Sequence, residues 1–157
     1  MRSIGFRAEK DAIHWAVVEP KKESLLKLSA YGEINAAATE KVPKMLANFR
    51  EQVRLLIDKH EPDVAIVRMP ETFGRRSGNA ASLDTRLRVE GVIIEGLASK
   101  NVEVRPTALK GISSLMKSNT AKAYLDGEQL RGIDWPNKKM NCREAILAAA
   151  AGVGVME

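Results

Sequence analysis

A single cysteine, Cys142, among 157 residues excludes an internal disulfide and any multi-cysteine metal site, and it points to a reducing compartment. Histidine is nearly as scarce. His14 and His60 lie far apart in the chain, neither with a partner at metal-ligand spacing. Aromatic residues make up only 4%, which argues against a platform that stacks nucleic-acid bases on exposed rings. No apolar run is long enough to span a bilayer: the most apolar stretch, Ala145 to Val155, is short and consists largely of alanine and glycine. A secretory segment, repeats, low-complexity tracts and linkers are missing too. These absences predict one domain over residues 1–157, in the cytoplasm and away from membranes. What is present in excess is positive charge. The formal net charge is +5 and the isoelectric point about 9.4, a bias toward anionic partners that says nothing about fold.

The chain's centre of gravity lies between Pro62 and Lys110. Val64-Ala65-Ile66-Val67 is a continuous, largely β-branched run entered through Pro62, as expected of a strand covered on both faces. A loop rich in glycine and arginine follows (Thr72 to Gly78). A long helix then runs from about Asn79 to Ser99, with Leu83, Leu87, Gly91, Ile94 and Ala98 expected on its buried face. A second strand, Val102 to Val104, precedes Pro106. Strand, helix and parallel strand make a βαβ unit, which crosses over right-handed.

Upstream, residues 2 to 6 and Ala12 to Glu19 read as a hairpin about the turn Arg7 to Asp11, and Leu25 to Tyr31 as a third strand. A helix is expected from about Pro43 to His60, with Leu46, Phe49, Val53, Leu56 and Ile57 on its apolar stripe and Pro43 in its first turn. Downstream, two short helices (Leu109 to Met116, Ala121 to Leu130) flank Lys117-Ser118-Asn119. A loop follows from Gly132 to Lys139, and a closing helix from Asn141 to Ala151. The expected fold is α/β: a mixed five-stranded sheet, three antiparallel strands then two parallel, with helices on both faces.

That order is the ribonuclease H-like one, and four stretches resemble one branch of it, the RuvC-type Holliday junction resolvases. Ile4-Gly-Phe-Arg-Ala…Trp15-Ala-Val-Val resembles their first hairpin, and Pro62-Asp-Val-Ala-Ile-Val their fourth strand. Leu87-Arg-Val-Glu-Gly-Val-Ile-Ile-Glu-Gly-Leu-Ala, with Val102-Glu-Val and Ala108-Leu-Lys110, resembles the central helix, fifth strand and next helix start. Arg143-Glu-Ala-Ile-Leu-Ala-Ala-Ala resembles the closing helix. The resemblance implies a two-metal nuclease in which four carboxylates hold paired divalent ions. Yet the matching positions here are Arg7, Arg68, Asn141 and Glu144, so only Glu144 is an acid. Two guanidinium groups, which keep their charge, would repel a divalent ion.

Displaced acids offer one way back to metal chemistry: Glu71, Glu144 and Asp11 with Mg²⁺ or Mn²⁺, acting as a junction or flap endonuclease. Against it, Glu71 reads as a solvated loop carboxylate paired with Arg75 or Arg76. Asn141-Cys-Arg-Glu144 has capping-box spacing, with Glu144 reaching back along the helix start. The other reading is a catalytically degenerate domain without a cofactor. It would bind DNA, RNA or another polyanion through a basic former active-site face built from Arg7, Arg68, Arg75, Arg76, Lys138 and Lys139. Internal ion pairs from Arg7 and Arg68 to Glu71 or Glu144 compete with that use. A third reading is a non-enzymatic homodimer through the long helix, where Gly91 and Gly96 would permit close approach. Of the remaining residues, Gly74 to Gly78 reads as a mobile loop and His60 as a charge at a helix C-terminus. Cys142 reads as packing, Trp15 as core, and Trp135 as a loop anchor with a possible role in base stacking.

Overall fold

The structure, a computed structural model, describes residues 1–71, 80–117, 121–135 and 137–156. Its centre is a strand whose sequence alternates between two cores. In β1 (Ser3–Ala8), Ile4, Phe6 and Ala8 point to one face of the sheet, while Gly5 and Arg7 point to the other. β1 pairs antiparallel with β2 (Ala12–Pro20), which pairs antiparallel with β3 (Leu26–Asn35) across a register shift at Val17/Val18. On its other side β1 pairs in parallel with β4 (Val64–Arg68), and β4 with β5 (Glu103–Thr107). The order is β3-β2-β1-β4-β5, the mixed sheet expected from the sequence. β5 runs further than expected, through Pro106, because an edge strand tolerates a residue that cannot donate.

Two helices cover the first face. α1 (Val42–His60) buries Met45, Phe49, Val53 and Ile57, one residue in four, against Phe6, Val17 and Val67. α2 (Ala80–Ala98) buries Val89, Glu90, Ile93, Gly96 and Leu97. The predicted face of α2 is therefore wrong: Leu87, Gly91 and Ala98 are exposed, and Leu83 and Ile94 only partly covered. Apolar residues occupy both sides of this helix, so periodicity alone selects the wrong stripe. Gly96 is used inside the fold against Val53, with Arg50 of α1 bonded to Glu95 at 2.5 and 3.0 Å beside it.

α5 (Met140–Met156) covers the opposite face, helped by α3 (Leu109–Leu115) and α4 (Ala121–Asp126). Its alanines, Ala145 and Ala148 to Ala151, are buried and bring the helix backbone onto the sheet. A Cβ on Gly5 would overlap the Ala145 carbonyl and the Ala149 nitrogen, so only glycine fits under α5 there. The helix continues past Ala151 because Gly152 packs on Ser3 and Val64, and Gly154 on Leu115. Close packing thus outweighs the cost of glycine in a helix. Where a helical end and a loop were expected, β6 (Gln129–Leu130) and β7 (Ile133–Asp134) form a two-residue ladder. It is anchored by Trp135, fully buried and donating from Nε1 to the Gly127 carbonyl at 3.0 Å.

Candidate functional site

The register of β1 with β4 places Arg7 beside Arg68 at the carboxyl ends of two parallel strands. Alternation turns both side chains toward the face covered by α5, and Glu144, in the first turns of that helix, meets them. Arg7 donates from Nε to the Glu144 carboxylate and from Nη1 to the Ala8 carbonyl. Arg68 Nη2 lies 3.8 Å from Glu144 Oε1 and 3.9 Å from Glu71 Oε1, and its Nη1 donates to the Met69 carbonyl. These are sheltered groups: the side chains of Arg7, Arg68 and Glu144 are 15%, 10% and 12% exposed.

The expected capping box does not form. α5 begins at Met140, with the Arg143 amide bonded to the Lys139 carbonyl at 3.0 Å. Asn141 is thus already inside the first turn, and Glu144 turns to the sheet. A guanidinium pair offers a carboxylate more than its own helix start does, since charge-assisted bonds are the stronger kind. Glu71 is exposed as expected, yet it is bound to the fold. Its Oε1 accepts from the Leu109 amide at 2.9 Å, at the start of α3. Asp11 stands apart in the exposed β1–β2 turn, in a shallow cleft with Lys10, Glu40 and Thr85. Glu71, Glu144 and Asp11 therefore do not converge, and the Arg68 guanidinium lies between the two that come near.

Two further charges belong to this neighbourhood and do not stand out in the sequence. Glu90 of α2 is fully buried, and Arg86, one turn before it, donates from Nε to Glu90 Oε1 at 2.9 Å. Burial pushes the Glu90 carboxyl above its ordinary range, against the pull of Arg86, Arg7 and Arg68. Burial, reinforced by Arg7, pushes Arg86 below its usual value. The only sequence signal is the i, i+4 spacing of Arg86 and Glu90, which is ordinary on any exposed helix. Among the described residues the strand ends are consequently a compensated cluster of arginines and glutamates.

Of the remaining basic residues, Lys138 and Lys139 line a separate cleft of about 220 Å³ with His14, Tyr31, Glu33, Asn137 and Cys142. Lys138 Nζ sits 5.0 Å from the Tyr31 ring centroid and donates to the Asp134 carbonyl at 3.3 Å. Arg75 and Arg76, with the whole stretch from Gly74 to Gly78, lie outside the described residues. Burial raises the Cys142 thiol, which fits a packing residue and not a nucleophile. Trp135 is enclosed and cannot stack on a base. His60 is not the expected helix-end charge. Burial, with Lys59 and Arg2 nearby, lowers its affinity for a proton, and its ring packs on Trp15 at 5.4 Å. His14, without partners along the chain, has them in space: the Glu9 and Glu33 carboxylates gather around it.

No known family profile and no curated protein matches the sequence. Solved structures do match. RuvC of Thermus thermophilus superimposes with a TM-score of 0.77 over 99% of this chain and 95% of that one, at 15% identity. RuvC of the same organism in complex with a Holliday junction substrate gives 0.78 at 12% identity over the same shares. The yeast mitochondrial Holliday junction resolvase gives 0.65 at 11% identity, over 97% of this chain and 77% of that one. With the strand order, the parallel β1–β4 pair and α5 across it, these matches identify the fold as ribonuclease H-like, in the form taken by RuvC and other Holliday junction resolvases.

Proposed function

We propose that this chain is a catalytically degenerate RuvC-like domain that binds nucleic acid without cutting it. One observation carries the reading: neighbouring guanidinium groups, Arg7 and Arg68, close on Glu144 at the strand ends where the resemblance calls for metal-binding carboxylates. Divalent ions need hard anionic oxygens and are repelled by fixed positive charge. In this reading Arg7 and Arg68 seal the old pocket, and phosphate is met beside it. Lys138 and Lys139 supply contacts from the cleft rim, joined by Arg75 and Arg76. Such contacts give affinity that falls with salt and carries little sequence preference. The structural relative solved with a Holliday junction makes branched DNA the first substrate to try.

The test is a mobility-shift titration with labelled four-way junction DNA at low salt, with Mg²⁺ or Mn²⁺ present. Retardation without cleavage is expected. Charge reversal at Lys138 and Lys139 weakens binding equally on all sequences and reduces the salt slope by about one for each phosphate left without its lysine. No retardation ends the proposal. Cleavage that disappears in Glu71→Gln replaces it with the endonuclease.

The outward side of α2 favours a second, compatible role as a homodimer contact: Leu87 is 43% exposed and Gly91 has open space where a Cβ would stand.

A further inference from the structure

We infer that Glu9, His14 and Glu33 form a binding site for a divalent transition-metal ion, Zn²⁺ first, distinct from the strand ends sealed by Arg7 and Arg68. The ladders assemble it. His14 on β2 stands opposite Glu33 on β3, and Glu9 follows β1 just beyond the Arg7–His14 pair. One ligand atom from each residue lies within 4.8 Å of the others, and His14 Nε2 is already 2.9 Å from Glu9 Oε2.

The charge balance is what needs explaining. Two carboxylates converge on one imidazole, which can neutralise at most one of them. Among the described residues Glu33 makes neither an ion pair nor a hydrogen bond; of the two lysines that border its cleft, Lys138 is engaged with Tyr31 and the Asp134 carbonyl, and Lys139 forms no ion pair with it. A dication at the centre would compensate both acids. His14 is 4% exposed and held in place, while Glu33 is exposed and can close inward to the metal–ligand distances of about 2 Å that zinc requires.

The donor set chooses the ion. An imidazole nitrogen with two carboxylates suits Zn²⁺ over Mg²⁺, which prefers all-oxygen octahedra. Three protein ligands leave a fourth position, and the cleft of about 220 Å³ bordered by His14, Glu33, Tyr31, Asn137 and Cys142 gives it solvent. Cys142 borders the same cleft, but the three ligand atoms that lie within 4.8 Å of one another belong to Glu9, His14 and Glu33, and its sulfur is not counted among the ligands.

Calorimetric titration of chelator-treated protein with ZnCl₂, with MgCl₂ in parallel, decides the matter without nucleic acid. It therefore stands or falls separately from the proposed function. One equivalent of Zn²⁺ is expected, with no heat from Mg²⁺. Losing even an outer partner of a metal ligand costs about 10–100-fold in affinity, so Glu33→Gln, at an exposed position that leaves the fold intact, should weaken binding at least tenfold. His14→Gln should abolish it, and Cys142→Ser should leave it unchanged. Co²⁺ should give the visible bands of a nitrogen–oxygen site without a thiolate charge-transfer band. Absence of Zn²⁺ binding overturns the inference. So does binding that survives Glu33→Gln, or that is lost in Cys142→Ser.

Discussion

Glu144 is the counterion of two guanidinium groups that have little access to water. Replacing it by glutamine keeps the shape and removes the charge, leaving Arg7 and Arg68 facing one another across neighbouring strands. Removing one partner from a sheltered ion pair costs about 3–5 kcal/mol. The expected loss for Glu144→Gln is about 3 kcal/mol, read as a fall in melting temperature of roughly 6–12 °C for a domain of this size. A fall under about 2 °C would mean that solvent, not Glu144, balances the arginines. Glu90 makes a prediction of the opposite sign. Burial raises its carboxyl above 4.5, so between that value and the raised one the folded chain holds a proton the unfolded chain has lost. Stability therefore falls as pH rises through that window, and the penalty persists above it. Glu90→Gln has no such proton to lose. Its stability relative to the parent should climb with pH across the window and then level off, as followed by urea midpoints from about pH 4 to about pH 8. A constant difference would show that Glu90 titrates normally.

α5 holds this site because it lies so close to the sheet. That closeness depends on Gly5, where a methyl group would meet helix backbone and not a flexible side chain. Gly5→Ala should cost at least about 2 kcal/mol, since an overpacked contact with backbone cannot relax by a rotamer change. It should also loosen Glu144 from Arg7, so the same variant ought to make Glu144→Gln less damaging when the two are combined. Additive losses would separate the helix packing from the ion pair. α2 shows the limit of pattern reading within an element. Val89, Ile93 and Leu97 face the sheet while Leu87, Ile94 and Ala98 do not, although both sets recur at helical spacing. Periodicity detects a helix, but a helix apolar on two sides does not say which side is inside.

For the assembled molecule, the proposed dimer contact lies on the exposed side of α2, where Leu87 faces solvent and Gly91 has open space where a Cβ would stand. A dimer through it should appear in analytical ultracentrifugation and dissociate in Leu87→Asp without loss of thermal stability in the monomer. A monomer at every concentration would remove dimerisation from the account. The mixed five-stranded sheet, the unit of β4, α2 and parallel β5, and the presence of α1 and α5 were legible in the chain, because β-branched runs, helical spacing and turn residues act over a few neighbouring positions. The placing of Arg7 and Arg68 at strand ends was equally plain, since it needed only the bounds of two short strands. What a charged group does once the strands are paired was not. Glu144 reads locally as a cap and becomes a counterion, and Asn141 falls inside the helix it was expected to begin. His14 looks isolated until the β2–β3 register, set partly by the irregularity at Val17/Val18, brings Glu33 across from it. Local propensity acts through the backbone of adjacent residues. A charge instead seeks the best partner within a few ångströms, and only the folded chain determines who stands that near.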